Sequence, residues 1–468
     1  MRVEDVDVVV VGGGPGGSTV ASLIAMQGHR VVVLEKETFP RYQIGESLLP
    51  STVHGICRII GATDELMKAG FTRKLGGTFR WGASPEPWTF FFSTSQKMTA
   101  EDALYAYQVE RSKFDKILLD NARRIGAEIR ENCSVTDVIA DDDRVRGVSY
   151  VNAEGVENQI RARYVVDASG SRSRIYKHVS GERKYSEFFR SVALFGYFHG
   201  GKRLPAPNSG NILSAAFDSG WIWYIPLSDT LTSVGAVVRR EMAGKIQGDP
   251  EKALLGLIDE CPLISEYLRD AKRVTEGQYG ELRVRKDYSY RNTKMWRPGM
   301  VLVGDAACFV DPVFSTGVHL ATYSALLTAR SINSVIAGTI DEQAAFREFE
   351  LRYMREYGTF YQFLVSFYDM HVSESSYFWT AKKLTGDTSS ELESFVNLVG
   401  GVSSREAALT QAGTLLKRFQ RTEGGQTQLR VILGEETEGE PPLFDNGLVP
   451  SGDGMFWVMP GAAVSINA

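Results

Sequence analysis

The stretch Val8–Glu35, VVVVGGGPGGSTVASLIAMQGHRVVVLE, restricts what this chain can fold into more than any other. A short valine run is followed by a glycine loop, a helical segment, a second apolar run and an acid. That order predicts strand, turn, helix and parallel strand, with Val8–Val11 and Arg30–Leu34 as neighbours in a buried sheet. Gly12 permits the tight turn, Gly14 lets backbone N–H groups reach a pyrophosphate, and Gly17 lets helix and strand pack closely. The phosphate is expected at the helix N-terminus, where unpaired N–H groups and the helix dipole favour an anion. Glu35 follows the loop by about twenty residues, where an acid takes ribose hydroxyls. The fold class is therefore α/β, with a dinucleotide-binding domain at its start.

With 468 residues the chain has room for two or three subdomains. A formal net charge of −5 leaves no basic excess and argues against nucleic acid as a partner. Cys57, Cys133, Cys261 and Cys308 lie far apart with no CxxC pair, and the six histidines show no ligand spacing. Buried thiols and no metal are the expectation. Val8–Gly28 is uncharged and about as long as a membrane span. Its glycines and Pro15 would break a spanning helix, and no basic leader accompanies it, so a soluble, cytoplasmic protein is expected.

Residues 38–56, TFPRYQIGESLLPSTVHGI, read as a loop feeding a helix at Ser51. Leu48-Leu49-Pro50 is apolar for a loop in water, so the loop is expected against a ligand, with Arg41 on a phosphate and Ser47 beside it. Aromatic residues at strand spacing from Gly77 to Phe92 predict a hairpin outside the nucleotide fold, and Lys74 stands just before it. Tyr105–Val109 ends a strand, and an amphipathic helix begins at Arg111, which is placed to meet a cofactor anion. Glu128–Ile139 and Val145–Val151 read as β segments, and Arg163–Gly170 as a strand returning to the first sheet. From Phe188 to Arg283 the pattern is β-rich, interrupted by a helix over Pro250–Arg269. Residues 299–332 give a strand, a Gly304-Asp305 turn, a loop with Pro312 and a helix from Thr316–Gly317. Beyond Gly338 the tendency is helical, with a core-facing stripe of Tyr353, Tyr357, Phe360, Leu364 and Phe367. Arg421–Pro442 is Gly/Glu-rich and expected to be mobile.

The resulting division places the nucleotide domain at 1–75, 101–185 and 285–338, and a mostly antiparallel substrate-side sheet at 76–100 and 186–284. A helical region follows at 339–468.

GGGPGG with Glu35, the Arg111 helix, DASG at 167–170 and Gly304-Asp305 resemble the Rossmann-like FAD fold of the para-hydroxybenzoate-hydroxylase class. The resemblance implies that Arg111, Asp305, Pro312, Gly317 and Val318 help to hold FAD. Within that class two features resemble the flavin-dependent halogenases of the phenol and pyrrole type. One is Gly220–Pro226, GWIWYIP, whose indoles Trp221 and Trp223 share one strand face as a bulky wall. The other is Lys74 in KLGGTFRWG. Ser315-Thr316-Gly317 resembles the halide site, with the Thr316 and Gly317 N–H groups holding chloride or bromide. Tryptophan halogenases carry a glutamate before this Ser-Thr-Gly, whereas Phe314 stands here.

The resemblance implies that FADH2 from a separate flavin reductase reacts with O₂ to a C4a-hydroperoxide, which halide converts to hypohalous acid. Lys74 then holds or captures the halogen, and a phenolic or tyrosyl ring is chlorinated, bound to a peptidyl or acyl carrier protein. A lysine screened from water is a neutral nucleophile, as such capture requires. Two alternatives share the fold: an aromatic hydroxylase, and a flavin-binding scaffold without turnover.

Overall fold

Strand Val3–Val11 runs between two parallel neighbours, Val31–Leu34 and Glu157–Asp167. Glu128–Arg130 and Met300–Leu302 extend the sheet in parallel on either side. Val8, Val9 and Val10 are fully buried, without alternation, because helices cover both faces of a parallel sheet. Helix Pro15–Ala25 packs against helices Arg111–Ile125 and Thr316–Ile336. In this computed structural model the described residues are 3–98, 104–141, 143–286, 288–404, 406–412 and 447–460. The stretch Arg421–Pro442, expected to be mobile, lies outside them.

The second sheet has Ser191–His199, Leu231–Arg239, Gly220–Pro226, Ile212–Phe217, Gly76–Arg80 and Trp88–Phe91 in spatial order. Its pairs are antiparallel except where Ile212–Phe217 meets Gly76–Arg80. Alternation along each strand separates two cores. Ile222, Tyr224, Val234 and Leu194 pack under the helices Pro250–Asp259 and Pro262–Leu268. Trp221, Trp223, Phe195 and Tyr197 point the other way, into the core shared with the first domain.

Two local expectations are corrected. The helix expected over Pro250–Arg269 is two helices, because Pro262 lacks the N–H that would continue the first and instead opens the second. Glu128–Ile139 is two strands, Glu128–Arg130 and Ser134–Ala140, separated by Asn132 in the left-handed region at φ 56°. The loop before Ser51 does not hang in water, as its apolar residues indicate: Glu46, Ser47, Leu48 and Leu49 are buried. Bonds from Leu48 N to Tyr107 O (2.9 Å) and Val109 N to Glu46 O (2.7 Å) pin it to strand Ala106–Gln108.

The stripe on helix Glu342–Phe367 is core, as its spacing indicates: Tyr353, Tyr357, Phe360, Leu364 and Phe367 are all buried. Helices Glu374–Thr385 and Glu391–Val399 pack on one another beyond it. Among the described residues no helix is long and apolar enough to cross a membrane.

Candidate functional site

Where the two sheets face each other they enclose a cavity of about 620 Å³, walled by residues of both. Gly12 turns the chain at φ 102°, and a Cβ there would stand 2.5 Å from Ala168 O. A Cβ on Gly17 would lie 1.9 Å from Gly12 O, so helix and loop pack only around a hydrogen atom. At Gly14 a Cβ would meet only Arg41 Nη2, at 3.4 Å, which leaves the backbone open to the cavity. Helix Pro15–Ala25 has no side-chain cap and no acid in its first turn, so its leading N–H groups suit a pyrophosphate. The glycine cradle, the open helix end and the walling arginines fit a dinucleotide cofactor.

Glu35 lies on the cavity wall, and its carboxylate accepts from Gly13 N at 2.6 Å and Glu37 N at 2.9 Å. It therefore braces the glycine loop, a role that its spacing does not reveal. Arg41 and Arg111 also line the cavity, and both are anchored by buried Asp115. Arg111 meets its two oxygens at 2.7 and 2.9 Å, and Arg41 meets Oδ2 at 2.8 Å. Asp115 belongs to no motif, although its i+4 position from Arg111 marks the pair. Ser47 joins the same wall. Asp305 lies opposite, its carboxyl pushed up to about 6 by burial against the pull of Arg111, Arg183 and Arg285.

Pro312, Ser315, Gly317 and Val318 close another side. Ser315 is left-handed at φ 62°, which turns the chain into helix Thr316–Ile336, again without a side-chain cap. The Thr316 side chain is fully buried, and Oγ1 donates to Asp311 O at 3.4 Å. Trp221 and Trp223 line the cavity with ring centroids 6.1 Å apart. Each indole N–H is held: Trp221 donates to Tyr368 Oη at 2.8 Å and Trp223 to Ser233 Oγ at 3.2 Å.

Lys74 is not in the cavity wall. It ends strand Thr72–Lys74, is 3% exposed, and its Nζ donates to Leu48 O at 3.1 Å. Burial without a paired carboxylate pushes the amine down to about 7. A series of ring contacts runs from the wall toward the lysine: Trp221 meets Trp81, Trp81 meets Phe79, Phe79 meets Phe90, and Phe90 meets Phe92. The Phe92 ring lies 5.5 Å from Lys74 Nζ. Phe314 stands against this column, 5.7 Å from Phe79 and 4.4 Å from Phe367. All four cysteines are free and buried, and the described residues hold no group of metal-ligating side chains.

The profile of the tryptophan halogenase family matches residues 7–103 and 93–421. The chain belongs to this family. It is 34% identical to a tryptophan 2-halogenase of Chondromyces crocatus, over 81% of this chain and 70% of that protein. A Pseudomonas fluorescens 1H-pyrrole-2-carbonyl-[peptidyl-carrier protein] chlorinase is 31% identical, over 80% and 85% of the two chains. Among solved structures, a myxobacterial chondrochloren halogenase superposes with a TM-score of 0.79 at 55% identity, covering 97% of this chain and all of that one. The halogenase is thus a flavin-dependent oxidoreductase that uses FAD and halide. These relatives set aside the hydroxylase and scaffold readings.

Proposed function

We propose that this halogenase chlorinates an electron-rich phenolic ring of tyrosyl type, presented on a peptidyl or acyl carrier protein, in natural-product biosynthesis. Phe314 carries the reading. Its buried ring occupies the place where tryptophan halogenases have an acid, so the neighbourhood of the Ser-Thr-Gly turn is apolar. The pyrrole–carrier relative supports a tethered substrate.

The residues that would hold FAD are Gly12, Gly14, Glu35, Arg41, Ser47, Arg111, Asp305, Pro312, Gly317 and Val318, with Gly17 letting the helix pack close behind the loop. FAD, reduced by a separate flavin reductase, would supply the two electrons that bring O₂ to the peroxide level, at which it oxidises halide to hypohalous acid. Thr316 and Gly317 offer the halide their N–H groups at a helix start. Trp221 and Trp223 keep the aromatic substrate off the cofactor. Neutral Lys74 attacks hypohalous acid, forming an N–Cl bond and releasing water. The ring carbon then takes the chlorine and loses its proton, and the amine is regenerated.

The test supplies enzyme, flavin reductase, O₂ and chloride or bromide to free tyrosine, a tyrosyl carrier protein and free tryptophan. Chlorination of the tyrosyl carrier, seen by isotope pattern, is the expected result. Exclusive turnover of tryptophan would overturn the substrate assignment.

A further inference from the structure

The balanced reaction consumes reduced FAD, O₂, halide and one proton for each C–H bond halogenated, and releases two waters. None of the residues discussed so far delivers that proton. A second set of buried groups in the cavity wall can.

Glu46 is 2% exposed and lines the cavity. Its Oε1 accepts from the Tyr197 hydroxyl at 2.7 Å, whereas its buried Oε2 has no well-formed hydrogen bond, although the Ser233 hydroxyl lies near the carboxyl. A buried carboxyl oxygen is costly to leave unpaired, so this one is placed to meet something in the cavity. Because the Tyr197 proton points to Glu46, the Tyr42 hydroxyl donates to Tyr197, at 2.8 Å. Tyr42 is only half-buried and also lines the cavity. Three hydroxyl or carboxyl groups therefore run in one hydrogen-bonded direction, from a solvent-reachable tyrosine to an unpaired carboxyl oxygen.

We infer that Glu46 is the acid that delivers the reaction's proton, and that Tyr42 and Tyr197 reload it. The Oε2–H proton passes to an oxygen atom in the cavity, the Tyr197 proton moves to Oε1, the Tyr42 proton to Tyr197, and solvent restores Tyr42. No electrons change hands and each group keeps its proton count, with the chain left pointing the other way, the proton on Oε1, until the carboxyl and hydroxyls rotate back. The surroundings keep a large fraction of Glu46, about half, protonated at neutral pH. Burial pushes it up to about 7, with Glu110 in the same direction, opposed by the hydroxyls of Ser233 and Tyr197 and by Arg111. Tyr42 and Tyr279, also near, are themselves raised and stay neutral.

The variants are Glu46→Gln, which keeps the shape and the acceptor for Tyr197, and Tyr197→Phe, which cuts the chain. Infrared titration of the full chain before flavin is added should show a protonated carboxyl band at neutral pH that Glu46→Gln removes. With reduced FAD, O₂ and chloride, both variants should form hypochlorous acid about 10²-fold more slowly, and Glu46→Gln should lose the limb of the pH profile near neutrality. FAD affinity should hold. An unchanged infrared band, or an unchanged pH profile in Glu46→Gln, overturns the assignment. The infrared result is independent of substrate, so it stands or falls apart from the phenolic reading.

Discussion

The indole N–H of Trp221 donates to the Tyr368 hydroxyl at 2.8 Å, and that hydroxyl reaches both oxygens of Asp311 at 3.0 Å. Tyr368 caps helix Glu342–Phe367, so the C-terminal helical region reaches across to fix one face of the cavity wall. Asp311 also accepts from Val313 N at 3.0 Å, one turn before Ser315. The wall and the turn at Ser315 are thereby set by one buried network. Tyr368→Phe should cost about 1–3 kcal/mol, because it leaves the indole N–H and Asp311 without their partner. Denaturant unfolding measures the cost, and Asp311→Asn combined with it should be less than additive.

The glycine loop separates packing from ligand space. Gly17→Ala puts a methyl 1.9 Å from Gly12 O and should lower the melting temperature sharply. Gly14→Ala meets only the end of Arg41, so its melting temperature should hold while FAD affinity falls. Equal effects on stability from both would contradict this division.

Lys74 gives a pH dependence with a definite sign. Its amine titrates at 10.5 as an ordinary lysine and at about 7 in the fold. Between those values the unfolded chain binds more protons, so this contribution to stability rises with pH and is lost as pH falls. Lys74→Met removes it, and should gain stability relative to the parent most clearly in acid. Halogenation in the parent should rise as pH passes through about 7 and the amine becomes neutral. Lys74→Met should cut ring halogenation by about 10²-fold or more, the scale for losing one preorganised catalytic group. Hypohalous acid formation should persist.

Arg330 is fully buried on helix Thr316–Ile336, where it meets both oxygens of Glu406 at 2.9 and 3.1 Å and donates to Gly454 O at 2.8 Å. Glu406→Gln leaves a buried guanidinium without its counter-charge and should cost about 3–5 kcal/mol. Equilibrium unfolding checks the magnitude. Glu406 held by Arg330 stays below the usual carboxylate range, so acid should weaken the pair only well below neutrality.

The strand–loop–helix–strand unit was legible because its causes are local. Four valines, glycines at three positions and an acid at fixed spacing specify it whatever lies elsewhere. The two indoles were legible for the same reason, since residues two apart on a strand share a face. Tyr197 and Tyr368 were not. They act through partners 151 and 147 residues away, Glu46 and Trp221, and no spacing encodes such pairs.

By itself the sequence determined the nucleotide fold, the inserted sheet and the wall of Trp221 and Trp223. Periodicity and glycine chemistry need only neighbours along the chain. Only the tertiary structure decided protonation. Lys74, Glu46 and Asp311 depart from their ordinary titration because distant segments fold over them and exclude water. Desolvation belongs to the packed molecule, so no motif could carry it.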